Sequence, residues 1–165
     1  MRTLTSAIFI AALAAGCGPN DSSALDPGAS AEVRGAVRLL ADSIAHDLTH
    51  DGPTAWLRYF EVSPGFFMAS EGTLTFPNYD SAAAFVPRFA SGVRRIALSW
   101  SDVRVDPLRS RLAVMGASFA EAITDTSGRE ITIGGYFTAV AEQTPSGWRL
   151  RDAHWSMKNQ QEQGV

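Results

Sequence analysis

The chain of 165 residues lacks features that mark several large classes of protein. It has one cysteine, Cys17, which excludes an internal disulfide, and one lysine, Lys158. The formal net charge of −3 argues against nucleic acid as a partner, because a phosphate backbone attracts basic surfaces. The apolar run from Ala7 to Ala15 is much shorter than the roughly 20 residues that a membrane-crossing helix needs. Disulfide scaffolds, nucleic-acid binders and transmembrane helices are therefore not predicted.

The composition instead predicts one folded domain. Hydrophobic residues make up 45% of the chain and charged residues 19%, with nine Phe and four Trp, unlike a disordered polar sequence. The length suits a single domain with a sizeable core. We predict that this domain covers residues 31–158 and is followed by a polar tail over residues 159–165.

The N-terminus has the layout of a bacterial signal peptide: one positive charge, an apolar run, small residues and then a cysteine. The stretch LAAGC, Leu13 to Cys17, resembles the lipobox of bacterial lipoproteins, with Ala14 where Leu is commoner. We predict a signal peptide over residues 1–16, a lipidated Cys17, and a flexible linker to residue 30. The alternative is a chance cysteine in an ordinary secreted protein. Exported proteins normally use cysteines in pairs, so acylation explains a single cysteine better than chance does.

This N-terminus also predicts a location. Several acyl chains such as palmitate on Cys17 would anchor the domain stably, because each buried methylene contributes about 0.8 kcal/mol. The protein is therefore predicted to lie in the cell envelope with a membrane as its partner. Gly18 after the cysteine, instead of Asp, favours the outer membrane facing the periplasm in a host that has one, by analogy with lipoproteins.

Helical patterns dominate the first half of the predicted domain. From residue 31 to residue 50, apolar residues recur every three or four positions, at Val33, Val37, Leu40, Ile44 and Leu48. A short second helix is predicted to begin at Pro53, and a hairpin is predicted to turn at Gly72. A third helix is predicted with Asp80 as its N-cap, and Pro87 is expected to kink or shorten it.

Beyond residue 93 the apolar period changes to two, which indicates strands. The alternation through Trp100 shifts by one residue before Val103, which predicts a β-bulge near Ser101. Three more strands are predicted, over residues 112–124, 129–142 and 148–157. Helices followed by strands predict an α+β fold, in which about three N-terminal helices cover a curved antiparallel sheet.

The last two predicted strands carry a resemblance to a known family. Gly147–Ser156, GWRLRDAHWS, looks like the closing strand of the SnoaL-like proteins, and Gly134–Trp148 looks like their penultimate hairpin. The segment from about Ala31 to Lys158 thus resembles the nuclear transport factor 2-like superfamily. The resemblance implies a cone-shaped, cystatin-like roll with a pocket inside. Members include polyketide cyclases, ketosteroid isomerase, dehydratases and many proteins of no known activity, so it does not select a function.

His154 is the leading catalytic candidate. It shares parity with Trp148, so in an uninterrupted strand it would face the interior beside Ser156. A neutral imidazole can act as general base, with Tyr136 or Ser156 as a donor and Thr138 bonding a ligand. The alternative is a structural histidine that satisfies backbone groups at the sheet edge.

The other candidate residues are ones that could bind a ligand and ones that titrate. The residues predicted to bind a ligand are Trp56, Tyr59, Phe60, Trp100, Phe119, Thr138 and Trp148. Further titratable residues form no recognisable pattern, namely Tyr59, Glu71, Asp102, Glu121 and Asp152. Asp102, Arg104 and Asp106, alternating on one strand, predict a solvated face rather than an epoxide hydrolase site.

No cofactor and no metal are predicted. His46 and His50 stand four apart, as in the zinc motif H-E-x-x-H, but Asp47 replaces the required Glu and no third ligand stands out.

Three hypotheses of function follow. The leading one is a lipid-anchored protein that binds a small apolar ligand without catalysis. The second is an enzyme of the cyclase, isomerase or dehydratase kind that uses His154. The third is a partner-binding or homodimerising module, because Trp155 and Met157 have the opposite parity to His154 and would lie on the outer face.

Overall fold

The computed structural model describes residues 25–158 and begins with a long helix, α1, Pro27–Asp51. The Asp26 side chain caps it by accepting hydrogen bonds from the backbone N–H groups of Gly28 and Ala29. The helix starts earlier than predicted, so residues 27–30 of the predicted linker are helical. The five stripe residues from Val33 to Leu48 are all buried, which confirms the predicted face. The predicted signal peptide, Cys17 and the polar tail lie outside the described residues.

A short 3₁₀ helix and a hairpin follow, as predicted. The 3₁₀ helix is Pro53–Arg58, and the hairpin joins β1, Phe67–Ser70, to β2, Thr73–Phe76. Glu71 and Gly72 both have positive φ, 49° and 75°. This is the combination that a two-residue type I′ turn requires, and it matches the twist of the strands.

The second α-helix, α2, is Tyr79–Ser91. Its N-cap is Asn78, so the prediction of Asp80 was wrong: Asn78 and Ser81 form a reciprocal capping box, and Asp80 lies in the first turn. Pro87 lies inside the helix and does not end it.

Four long strands complete the domain: β3, Val93–Arg109; β4, Leu112–Asp125; β5, Glu130–Thr144; and β6, Gly147–Met157. The sheet order is β2-β1-β6-β5-β4-β3, and the sheet is curved and unclosed. Neighbouring strands are antiparallel except for β1 and β6, which pair in parallel and so depart from the purely antiparallel prediction. The α+β prediction is confirmed.

The core lies between α1 and the inner face of the sheet. Among its largest fully buried side chains are Ile44 and Leu48 from the helix and Ile96, Met115 and Phe137 from the strands. Burial of each such side chain contributes about 1.5–3 kcal/mol. One end of the sheet's inner face is therefore filled by the helix.

Two β-bulges set which side chains face inward. The first, between Ser101 and Arg104, confirms the predicted one, and Asp102 there has φ 53°. The second was not predicted: Val140 pairs with Asp152 and Ala141 pairs with Leu150, so Arg151 is an extra residue in β6.

The second bulge reverses the parity of the end of β6. Leu150 is buried before the bulge and Ala153 after it. His154 and Ser156 are exposed on the outer face, whereas Trp155 packs against the core. The prediction that His154 faces the interior was therefore wrong, because it assumed an uninterrupted strand. The predicted outward position of Trp155 was wrong for the same reason.

Candidate ligand-binding cavity

A partly open cavity of about 240 Å³ lies between the hairpin, α2 and the inner face of β4 to β6. Its lining is mainly apolar, and it contains the aromatic rings of Trp56, Phe60, Phe76, Phe85, Phe89 and Trp155. Ser70, Thr75 and Glu121 are its polar members. A largely apolar concave site with a few polar groups is the usual form of a small-molecule site.

Trp155 joins the cavity to the core. Its ring meets Trp56 edge-on at a centroid distance of 5.6 Å and Phe119 edge-on at 4.6 Å. It also lies 4.6 Å from Phe137. Edge-to-face aromatic pairs contribute about 0.5–1.5 kcal/mol beyond the area they bury. The wall that Trp155 provides is consequently held by rings on both sides.

The wall provided by α2 is more open. Val86 is buried, but Phe85 and Phe89, one turn apart, are 44% and 38% exposed although both line the cavity. The two rings stack at a centroid distance of 6.2 Å, and Phe85 also lies 5.4 Å from Phe76. The rim of the cavity is thus an apolar surface in contact with solvent.

Glu121 is the ionisable group of this lining. It follows Phe119 on the inner face of β4, with Leu98 and Ile133 opposite it on the flanking strands. Within residues 25–158 its carboxyl has no hydrogen bond and no ion pair. Burial among apolar groups disfavours the charged form and raises the pKa of Glu121 to about 7. The carboxyl is therefore suited to exchange a proton near neutral pH.

Of the residues predicted to bind a ligand, the cavity contains Trp56 and Phe60. Three others are packed in the core or against it, away from the lining: Trp100, Phe119 and Trp148. The Trp100 indole N–H donates to the Ala41 carbonyl at 3.0 Å, which ties α1 to β3. Trp100 and Phe119 contact the ring of Trp155, so they support the cavity wall without lining it.

Tyr59 also has a structural contact. Its hydroxyl donates to the Asp47 carboxylate at 2.6 Å, and Arg58 lies 3.3 Å from the same carboxylate. Burial, followed by this hydrogen bond and the charge of Asp47, raises the pKa of Tyr59 to about 12. The Tyr59 hydrogen bond, followed by that of His46, lowers the pKa of Asp47. This cluster fastens the 3₁₀ helix to α1.

The three predicted catalytic residues, Tyr136, His154 and Ser156, lie together with the predicted ligand-binding residue Thr138, but on the outer face of the sheet. Tyr136 is opposite Ser156 and Thr138 is opposite His154 across β5 and β6. All four side chains are exposed, on the face away from the cavity. Phe137, between the two β5 residues, is fully buried on the inner face. The structure therefore offers these four residues no access to the cavity.

Eleven of the lining residues were not predicted to bind a ligand, among them Trp155, Met157 and Glu121. Trp155 and Met157 were hidden by the unpredicted bulge. Glu121 had a usable signal, because it continues the row of Ala117 and Phe119 at period two and thus places one carboxyl in an apolar row. A charge in an inner row marks a functional candidate more strongly than a charge elsewhere on the strand.

The remaining candidates lie outside the cavity. Asp102, Arg104 and Asp106 are exposed, which confirms the predicted solvated face. The rings of His46 and His50 stack at 4.1 Å. In the part of the chain that the structure describes, no three His, Cys, Asp or Glu side chains are grouped to hold a metal ion. No helix in that part is long and apolar enough to cross a membrane.

The chain matches no family model and no curated protein by sequence. Solved structures, however, share its fold. A nuclear transport factor 2-like superfamily protein from Salmonella enterica serovar Typhimurium has a TM-score of 0.66 at 15% identity, over 82% of this chain and 99% of its own.

Two others come from the genus Novosphingobium. A proposed scytalone dehydratase from N. aromaticivorans has a TM-score of 0.67 at 12% identity, over 78% of this chain and 85% of its own. A hexachlorocyclohexane dehydrochlorinase, LinA-type3, from N. barchaimii has a TM-score of 0.62 at 12% identity, over 78% and 88%. The domain thus has the nuclear transport factor 2-like fold, as the sequence resemblance implied.

Proposed function

We propose that this domain binds a small, largely apolar molecule in the cavity between the hairpin and α2. The observation that carries the proposal is an aromatic cavity of about 240 Å³ that holds a carboxyl without a partner. A dry cavity of about 150 Å³ accommodates benzene, so this one suits a ligand of about ten non-hydrogen atoms. That two proteins of this fold are named for reactions of scytalone and of hexachlorocyclohexane supports a ligand of this size.

The test is a thermal-shift screen of neutral aromatic compounds on the purified full chain. Val86→Trp should fill the cavity, because Val86 is a buried lining residue, and should abolish the shift. Leu39→Trp is the matched control, since Leu39 is 67% exposed on α1. Circular dichroism establishes that both variants fold. Equal shifts in Val86→Trp and wild type would place binding elsewhere, and no shift with any compound would overturn the proposal.

A proton-transfer enzyme is the second candidate, and the pKa of Glu121 near 7 favours it. A general acid or base works best when its pKa is close to the working pH, and contributes about 10²–10⁴-fold. His154 does not line the cavity and so cannot serve as the base there.

The enzymatic candidate is tested by solvent deuterium exchange into the α position of a bound ketone, followed by NMR. Glu121→Gln should reduce the exchange rate about 100-fold or more while the ketone still binds. An unchanged exchange rate in this variant would remove Glu121 from the mechanism.

We also propose that the domain is exported to the cell envelope and anchored through lipidated Cys17, with the outer membrane as its place in a host that has one. The support is the sequence alone. In a bacterial host, the wild type should partition into detergent and incorporate labelled palmitate, and Cys17→Ser should do neither. Palmitate incorporation by Cys17→Ser equal to that of wild type would contradict the proposal.

We still propose a homodimer, but no longer one that forms through Trp155. Trp155 lies inside the domain, so it is no longer available to a partner subunit. Light scattering of the purified chain should give twice the monomer mass of 17.7 kDa if the dimer forms. A monomer mass at all concentrations would exclude it.

A further inference from the structure

The cavity lining contains one acidic side chain and no basic side chain. The lining residues include no Arg, Lys or His, and Glu121 is the sole ionisable side chain among them. Burial is the one cause resolved for the shifted pKa of Glu121, so no charged neighbour in the described part of the chain contributes to it. Glu121 is half-buried, and a carboxylate that is partly withdrawn from water without a cation beside it is less stable than a paired one. The lining itself therefore supplies no cation to pair with Glu121, and a bound ligand could supply one.

The aromatic rings that line the same cavity also favour a cationic ligand. Trp56, Trp155 and Phe60 approach one another closely, with Trp56 5.6 Å from each of the other two rings. The face of an aromatic ring is its negative region and attracts ammonium groups, most strongly on Trp. An aromatic lining with one carboxyl therefore favours a positive charge in two ways, through the electrostatics of the rings and through ion pairing.

A second carboxylate lies near the cavity wall. Glu71, in the turn between β1 and β2, accepts a hydrogen bond from the backbone N–H of Met157 at 2.6 Å. Met157 itself lines the cavity. An anionic ligand entering beside these two carboxylates would be repelled, whereas a cation would be attracted.

We propose that the ligand of this cavity is a small aromatic or aliphatic amine, bound as its cation, with the ammonium group against Glu121 and its hydrocarbon part among the aromatic rings. The proposal rests on the proposed binding function and narrows its ligand from apolar molecules in general to lipophilic cations. Glu121 is then a specificity-determining residue, because it discriminates between ligands that share the same hydrocarbon part.

Three probes with one hydrocarbon skeleton test this proposal: 3-phenylpropylamine, 3-phenylpropanol and 3-phenylpropionate. Their size fits the cavity, and they differ in charge at one end. Calorimetry on the purified full chain at pH 8 should give an amine affinity at least tenfold above that of the alcohol, with the acid weakest. Affinity for the amine should rise from pH 6 to pH 8 as Glu121 loses its proton, while affinity for the alcohol stays flat or falls.

The variants separate the role of Glu121 from general electrostatics. Glu121→Gln should bring the amine and the alcohol to equal affinity. Glu130→Gln removes one exposed carboxylate outside the cavity and should leave the amine preference within twofold of wild type. Equal binding of amine and alcohol to wild type at pH 8 would overturn the inference and leave the binding function intact. Failure of all three probes and of the wider screen would overturn both.

Discussion

The inner and outer faces of β5 and β6 differ completely in chemistry although their residues alternate along the same two strands. The inner row contains Phe137, Ala153 and Trp155 and is packed against the core or buried. The outer row contains Tyr136 and His154, which are exposed. Judged by residue type alone, the outer row looks more like a catalytic site, because phenol and imidazole groups are common in active sites.

The difference shows that the chemistry of a row does not tell which side of the sheet it occupies. One extra residue, Arg151, reverses the assignment of every side chain after it in β6. The functional candidates consequently change from a histidine in the outer row to a carboxyl in the inner row of β4, Glu121. Variants that alter one face can therefore be compared with variants of the other face.

Deletion of His154 should have the largest effect. The bulge stays in place but β6 has one residue fewer after it, so Trp155 takes the outward position of His154, or the end of β6 loses its register with β5. Exposure of the inward-facing Trp and burial of the Ser156 hydroxyl in its place together should cost about 4–8 kcal/mol, enough to unfold many domains. Urea denaturation of the full chain measures this.

Deletion of Arg151 is the matched control, because it also shortens β6 by one residue but removes the extra one. The regular alternation from Leu150 then keeps Trp155 inward in the same register with β5, and only exposed ion pairs with Glu142 and Asp152 are lost. This deletion should cost no more than about 1–2 kcal/mol. If the two deletions were equally costly, the bulge would not set the face of β6.

Trp155→Ala and His154→Ala compare adjacent residues on opposite faces. Truncating Trp155 removes contacts with four aromatic rings and should lower the free energy of unfolding by about 3–5 kcal/mol. His154→Ala should change it by no more than about 0.5 kcal/mol, as for other exposed sites. Comparable losses in chemical denaturation would contradict the assignment of the faces.

Glu121→Gln tests the charge in the inner row through pH. The pKa of Glu121 is about 7 in the folded chain against an ordinary 4.5. Between these values the folded chain retains the proton that the unfolded chain has lost, so the free energy of unfolding falls as pH rises and levels off above 7. The expected loss is about 1–3 kcal/mol.

The variant should match the wild type near pH 5, where Glu121 is protonated, and be more stable at pH 8. Urea denaturation at pH 5, 6, 7 and 8 gives the difference between the two curves. Parallel curves over this range would mean that the carboxyl is not shielded from water.

Alanine substitutions at two glycines should give the smallest difference in stability between the two faces. A Cβ at Gly135, on the inner face, would collide with the Ser156 carbonyl oxygen and the Met157 Cα. Because these are backbone atoms, Gly135→Ala should cost about 1–3 kcal/mol. A Cβ at Gly116 would meet the end of the Tyr136 side chain at 2.8 Å, which can move away, so Gly116→Ala should cost less than about 1 kcal/mol. Equal melting temperatures for the two variants would contradict this.

Much of the fold was determined by local sequence signals. The buried stripe of α1, the hairpin turn at Glu71 and Gly72, and the bulge near Ser101 all follow from nearby residues, and all were predicted. Each depends on helical periodicity, turn chemistry or a visible shift in alternation, which the chain carries within a few positions.

The candidate site was predicted only in part, because it depends on pairing between distant segments. An alternating strand defines two rows but not which is inner, and the bulge at Arg151 exists only in its register with β5. Likewise, α2 and the hairpin leave the cavity where α1 does not reach, and that arrangement leaves Glu121 without a partner. By itself the sequence determined the elements and the two rows. The tertiary structure alone decided which row meets the cavity, since burial is a property of packing and not of the chain's own pattern.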